Sequence, residues 1–579
     1  MELQTKHTQY LDFWACVLPW LISAAALFAI ALYVFVSISA GSSVWDDSLM
    51  FVRYAHNVLS HGAIAWNNNQ PTYGLTSLAY LLLVVPLANV FSNAAMVVIA
   101  ASICGFALFL AVAYFLIHVF AGEDRKAVPV IAAIAATALA LGHSSLASII
   151  ASGMDTTFGI AYLVLYLAAV AAFVRSGSDS KPVAFLTGMV GGCAYAVRPD
   201  LLIYSVIIPV ALAIWSDNPA LRRNALIMMV ATVGTALAAA GAAWMYFGTP
   251  LPLPFYAKSG LLYDPTLAHR YRFFPIFQLI THIDAFAPLW LTLPAALVVW
   301  RREFFHRTPS ALLIGIALSV MAVATYYLFF VIQIMPYEGR FYYPVLPGLI
   351  ALLAALMARG WSWGRSLSRE ALLPTTVLVA CAVCGALLVA PLVQASEYTA
   401  YALLRERGAI STILHGTTLQ NYEDDAESQL VWPCLDAVDA LPPTASVATT
   451  EVGLPGVLAP FRPIIDLAGL NDTQISLREA TPADRIKEEK VDVVYLPTEY
   501  YYPVMRSAIL AQPWFTTDYT IYPATSTGGF PDVAVRKGSL AADPMAACMQ
   551  KFAATHSTST TSDTGGYYYL TLPFPLGSF

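Results

Sequence analysis

Charge is scarce in this sequence: Asp, Glu, Lys and Arg together make only 11% of 579 residues, and the balance is slightly negative, at −6. Nucleic acid is read through clustered Lys and Arg, and no such tract occurs, so no nucleic-acid partner is expected. No Gly-rich phosphate loop separates the hydrophobic runs, which argues against ATP-driven or nucleotide-sugar chemistry. Cysteine is sparse too, seven in all and scattered. Cys381 and Cys384 form a C-x-x-C, but inside an apolar run, where core packing is the expectation rather than redox chemistry or zinc.

What fills the chain is apolar. At 58% hydrophobic residues and a mean hydropathy of +0.65, it belongs to the integral membrane class. About eleven runs of bilayer-crossing character recur between residues 13 and 393, among them the short ones at 182–197, 200–215 and 287–300. The first run carries no small-residue cleavage site and is expected to be retained as a helix. Beyond residue 393 the composition turns ordinary for roughly 185 residues, enough for one soluble domain. The predicted organisation is therefore a transmembrane domain, 1–393, with a first loop at 41–94, and a C-terminal α/β domain, 394–579.

The apolar stretch 78–93 decides the topology. Kept as a surface-lying or re-entrant helix, it lets one side collect Lys6, Arg125, Lys126, Arg175 and most later loop cations through Arg369. The opposite side then holds only Arg53, Arg198, Lys258, Arg270, Arg272 and Arg340 within the membrane part. The positive-inside rule makes the first side cytoplasmic, together with the N-terminus. Loop 41–94, loop 248–286 and the C-terminal domain are expected outside the cytoplasm.

Loop 41–94 opens on two neighbouring acids, Asp46 and Asp47, ahead of a helix predicted over 48–60. One acid suffices to cap that helix, and a second carboxylate at a membrane surface needs another reason. Arg198, Lys258 and Arg340 lie on the same predicted face, where the topology rule disfavours positive charge, although an interfacial anchor is the ordinary role for such a residue. A carboxylate with several cations at the outer leaflet suits a sugar carried on a polyprenyl phosphate. The cations would hold the phosphate as it leaves, and the carboxylate would take a proton from the acceptor hydroxyl or stabilise an oxocarbenium-like centre. A lipid-linked-glycan flippase or transporter is the alternative, and it would show internal repeats and interrupted helices. No repeat is visible.

These residues carry a resemblance. Asp46-Asp47 with Arg53-Tyr54-Ala55, Asn57, Gly62, Asn67 and Gly74-Leu75-Thr76-Ser77 resembles the polytopic GT-C glycosyltransferases, and within them the actinobacterial terminal β-arabinofuranosyltransferases and their relatives. Ser152-Gly153-Met154-Asp155-Thr156, Arg198-Pro199-Asp200, Pro254-Phe255-Tyr256-Ala257-Lys258 and Arg340-Phe341 extend it. The stretches 448–453 and 466–472 add similarity in the tail. Asp155 departs from the pattern, where relatives commonly have Glu.

The resemblance implies a pentosyltransferase, arabinofuranose the leading sugar, in a bacterial plasma membrane. It makes Asp47 the catalytic base or charge stabiliser with Asp46 as partner, and Arg198, Arg340 and Lys258 ligands of the donor phosphate. Arg53, Tyr54, Asn57, Asn67, Thr76, Asp155, Asp200, Tyr256 and Tyr342 become sugar or acceptor ligands, with holding Arg198 the alternative for Asp155 and Asp200. For Asp200 an ion pair with Arg198 is the simpler expectation. The acceptor is a glycan, lipid or protein, no cofactor is implied beyond the lipid-linked donor, and no metal ligands are assigned.

In the tail, 445–450 and 491–496 are predicted as short strands among helical stretches, hence a small α/β domain. Cys434 and Cys548 are its only cysteines and each other's expected partner in an oxidising compartment. Tyr500-Tyr501-Tyr502 and Tyr567-Tyr568-Tyr569 are sugar-stacking candidates or ordinary strand tyrosines.

Overall fold

The computed structural model describes residues 2–39, 44–67, 70–176, 179–259, 274–300, 308–331, 333, 337–367, 372–405, 432–498, 502–523 and 531–556. Arg270, Arg272, Tyr500, Tyr501 and Tyr567-Tyr568-Tyr569 lie outside them. The chain divides into two compact units. One comprises Met1–Ser39, Ser102–Gly241 and Phe273–Ile410; the other comprises Ala40–Ala101, Ala242–Arg272 and Ser411–Phe579.

Among the described residues, seven helices are long and apolar enough to cross a membrane: Phe13–Ile38, Ala94–Ala121, Thr156–Arg175, Pro219–Phe247, Ala311–Phe329, Glu338–Trp363 and Thr376–Ser396. Two bent pairs raise the number to nine if each is one span. They are Ala127–Leu141 with His143–Ala151, bent by 79°, and Pro275–Ala285 with Ala287–Val299, bent by 96°. Phe28, Val230 and Leu237 stand exposed on these helices, a surface suited to lipid rather than water. The protein is a polytopic helical membrane protein.

The nine account for all but two of the eleven expected runs. The remaining two form helices Lys181–Gly192 and Leu202–Trp215, of 12 and 14 residues. At about 1.5 Å per residue these fall short of the ~30 Å hydrocarbon layer. The first helix stops at Gly192, and the extended backbone at Arg198 followed by Pro199 bounds the second. The stretch 78–93 forms the ten-residue helix Leu81–Val90, also too short to span.

The second unit holds a five-stranded sheet. Its strands are β1 (Val447–Thr449), β2 (Ile464–Asp466), β3 (Val493–Tyr495), β4 (Tyr519–Tyr522) and β5 (Val533–Arg536). The order is β2-β1-β3-β5-β4, with β2, β1 and β3 parallel and the β3–β5 and β5–β4 pairs antiparallel. β1 to β3 are buried at every position, as parallel strands covered on both faces must be. Segment 44–67 packs in this same unit, its helix Asp46–His61 lying against helix Gly453–Leu458.

Cys434 and Cys548 are disulfide-bonded, their Cα atoms 6.0 Å apart and 114 positions separated in sequence. Closing so long a loop is worth about 4–5 kcal/mol in the chain-entropy model. Thiol labelling of the unreduced protein is expected to modify neither cysteine, and reduction to lower the unfolding temperature of the tail. Labelling of both in native protein would refute the bond.

Candidate active site

Helix Asp46–His61 starts earlier than the 48–60 pattern predicts. Trp45 occupies the N-cap with extended backbone and no side-chain cap, and both acids fall in the first turn. Neither acid is therefore the cap of this helix, which corrects that expectation. Free N–H groups of the first turn favour negative charge there. Asp46 also turns outward to a second helix. Its carboxylate accepts from the N–H groups of Gly453 at 2.8 Å and Leu454 at 2.7 Å, the first residues of Gly453–Leu458. Burial pushes its pKa up to about 6 against these N–H groups, and the Asp47 charge adds to the rise. Asp47 stands next to it, half-buried.

About two turns further along, the expected sugar ligands turn inward. Arg53, 1% exposed, donates from Nε to the Trp66 carbonyl, from Nη1 to those of Gly456 and Ala459, and from Nη2 to Asn67 Oδ1 and the Arg462 carbonyl. Its guanidinium also stacks 4.5 Å from the Trp66 ring centroid. All five N–H donors are used. Asn57 donates to the Ala65 and Trp66 carbonyls. Asn67 accepts from the Ile464 N–H and donates to its carbonyl. Arg53 and Asn67 fasten the first loop to the sheet domain, while Asn57 ties helix Asp46–His61 to residues 65 and 66 of the same loop.

Tyr54 is buried in the same system. Its hydroxyl donates to Asn471 Oδ1 at 3.0 Å and accepts from the Gly74 N–H at 3.1 Å. A Cβ at position 74 would overlap both Asn471 and Tyr54, which explains glycine there. Asn471 in turn donates to Asp466 Oδ2 at 2.9 Å. Thr76 and Tyr256 remain partly exposed, as does Lys258 on helix Leu253–Ser259. That helix packs against Thr473–Ser476, and its first N–H donates to the Tyr73 carbonyl.

Two acids that the residue pattern did not single out as site residues join this region. From β1 the chain crosses to β2 on one side and then over to β3 on the other, so the carboxyl end of β1 is a switch point, where open parallel sheets bind ligands. Glu451 follows β1, and Asp466 ends β2. Burial holds the Glu451 carboxyl well above its usual range, and the charges of Asp46, Asp47 and Asp466 raise it further. The signal available in the sequence was an acid just past the strand predicted at 445–450. Among the described residues no three His, Cys, Asp or Glu side chains are placed to share a metal ion.

Asp466 yields a pH prediction. Burial raises its pKa to about 7, against hydrogen bonds from Asn471 and Ala468. A carboxyl protonated more readily in the folded state stabilises fully below about pH 4, and that contribution is lost as pH rises through about 7. Asp466→Asn is expected to flatten this part of the stability–pH curve between pH 4 and 8. A curve of unchanged slope in thermal unfolding would refute the assignment.

The other unit carries its own polar cluster. Arg198 forms a two-pronged pair with Asp200, Nε to Oδ1 at 3.2 Å and Nη2 to Oδ2 at 3.3 Å, with Asp155 at 3.9 Å. The Tyr327 hydroxyl donates to Asp200 Oδ2 at 2.6 Å and accepts from Arg198 Nη2 at 3.2 Å. Tyr327 was not foreseen, being one aromatic in an apolar span. Asp155 and Asp200 thus hold Arg198. Arg340 is buried, its guanidinium 5.0 Å from the Phe341 ring. Tyr342 is buried too, donating to the Pro275 carbonyl and accepting from Gln333.

No protein-family model matches the chain, and no curated protein matches it. Solved structures do. The crystal structure of ArnT from Cupriavidus metallidurans bound to undecaprenyl phosphate matches with a TM-score of 0.50 at 14% identity, covering 90% of this chain and 98% of that one. The apo state of ArnT matches with a TM-score of 0.50 at 12% identity, covering 89% and 97%. The fold is ArnT-like. The likeness covers nine-tenths of the chain, spans and tail alike.

Proposed function

We propose that this protein is a membrane glycosyltransferase that moves a sugar from a polyprenyl-phosphate donor to an extracytoplasmic acceptor. The observation that carries the reading is likeness of fold, over nine-tenths of the chain, to a protein holding undecaprenyl phosphate. Fold alone does not assign a reaction. The chemistry comes from the acids and cations. Asp47 takes the acceptor hydroxyl proton as the acceptor oxygen bonds to the sugar's anomeric carbon. The bond from that carbon to the phosphate oxygen breaks, its electron pair leaving with the polyprenyl phosphate. Arg198, Arg340 and Lys258 meet the departing phosphate, where planar guanidinium groups favour two-pronged contact. The tethering of Asp46 to Gly453 and Leu454 fits it to fix the helix that presents Asp47.

Arabinofuranose is the favoured sugar, on the pattern of residues 46–77. The N-terminus is assigned to the cytoplasm and the acids to the outer face of a bacterial plasma membrane, on the distribution of Lys and Arg. Incubating purified protein with a panel of polyprenyl-phosphate sugars and following donor loss tests the reading. In that assay Arg198→Lys and Arg340→Lys are each expected to raise the donor KM about tenfold, one lost charge-assisted contact apiece. Unchanged KM in both would return these arginines to anchoring.

A flippase or transporter is the second reading, favoured by the two bent helix pairs, since interrupted helices line transport sites. Donor turnover in detergent separates the two, because transport has no meaning without a second compartment. Binding of donor without turnover there, whatever the acceptor, would favour the transporter.

A further inference from the structure

Arg340 follows two residues in left-handed backbone, Glu338 with φ 50° and Gly339 with φ 65°. Glycine adopts that conformation freely, whereas a glutamate there is strained and persists only when its surroundings hold it. Side chains from two different helices do so. Ser145, on His143–Ala151, donates to Glu338 Oε2 at 2.7 Å. Gln278, on Phe274–Ala285, accepts the Gly339 N–H at 2.8 Å. The latter helix adds two more holds. The His282 Cβ lies 3.1 Å from where a Gly339 Cβ would stand, and the Pro275 carbonyl accepts from Tyr342, two residues past Arg340. Both helices belong to the bent pairs.

An arginine that merely anchors a helix in the headgroup layer snorkels on a flexible stem and needs no such fixing. Arg340 is 6% exposed and its backbone is set from both sides. We propose that Ser145 and Gln278 are positioning residues: they clasp the Glu338–Gly339 turn and so preset Arg340 for the lipid phosphate. This rests on the reading of Arg340 as a phosphate ligand. Rigid placement of a charged donor is what lets it bind without a further ordering cost.

The test is the Kd of undecaprenyl phosphate for the full-length protein in nanodiscs. Ser145→Ala and Gln278→Met are each expected to weaken binding about tenfold, the size of one well-placed hydrogen bond. Gln278→Glu keeps an oxygen for the Gly339 N–H, and Ser145→Thr keeps the hydroxyl, so both are expected within about twofold of wild type. Arg340→Lys is measured alongside. Wild-type affinity in Ser145→Ala and Gln278→Met, with Arg340→Lys weakened, overturns the clasp and leaves the phosphate reading standing. A Gln278→Glu protein as weak as Gln278→Met also overturns it. Wild-type affinity in Arg340→Lys removes the phosphate reading, and the clasp with it. If Gln278→Met does not fold, Ser145→Ala on the other helix decides the matter.

Discussion

Asp47→Asn protein is expected to insert and fold as wild type and to transfer sugar at least about a hundredfold more slowly. Asparagine keeps the volume of aspartate and loses both the charge and the proton-accepting capacity. The neighbouring substitution differs in kind. Asp46 uses two carboxylate oxygens to receive the N–H groups of Gly453 and Leu454, and an amide offers only one acceptor oxygen. Asp46→Asn should therefore loosen the contact between helices Asp46–His61 and Gly453–Leu458, and slow transfer no more than Asp47→Asn does. Measuring kcat at saturating donor beside thermal unfolding separates the two effects. Wild-type kcat in the Asp47→Asn protein would leave the pair with no catalytic part, only a favourable place at two helix N-termini.

That division of labour was out of reach of the residue pattern. Two adjacent acids at the end of a hydrophobic run are visible in a charge-poor sequence, and so were most of the spans, since length and apolarity define them. The partners of Asp46 lie 407 and 408 positions away, and nothing local announces them. The stretches 182–197 and 200–215 read as spans because they are apolar, yet the helices they form are only 12 and 14 residues long. The ion pair of Arg198 with Asp200 was legible, being two residues apart, whereas Tyr327 arrives from 129 positions away. Arg53 was the most misleading residue. A cation on the face where positive charge is disfavoured reads as a ligand, yet four of its five acceptors are backbone carbonyls, which every residue has and no sequence marks.

Arg53 accordingly gives the largest effect expected on stability. Its donors meet three carbonyls of the sheet domain, those of Gly456, Ala459 and Arg462, and two acceptors of the first loop. Burial lowers its pKa to about 9, with Arg462 adding to the fall, so it stays charged at neutral pH. Arg53→Met removes every donor and leaves several buried acceptors unpaired, at about 1–3 kcal/mol for each one left unsatisfied. Arg53→Lys keeps the charge but offers three donors on a point-like ammonium, too few for five acceptors spread around a planar fork. Both proteins are expected to unfold at lower temperature and to expose segment 44–67 to protease, Arg53→Met more than Arg53→Lys. A sugar ligand would behave otherwise: Arg53→Lys would keep wild-type unfolding and protease resistance and change only the KM for donor or acceptor. That second pattern would move Arg53 out of the loop–domain fastening and back among the substrate ligands.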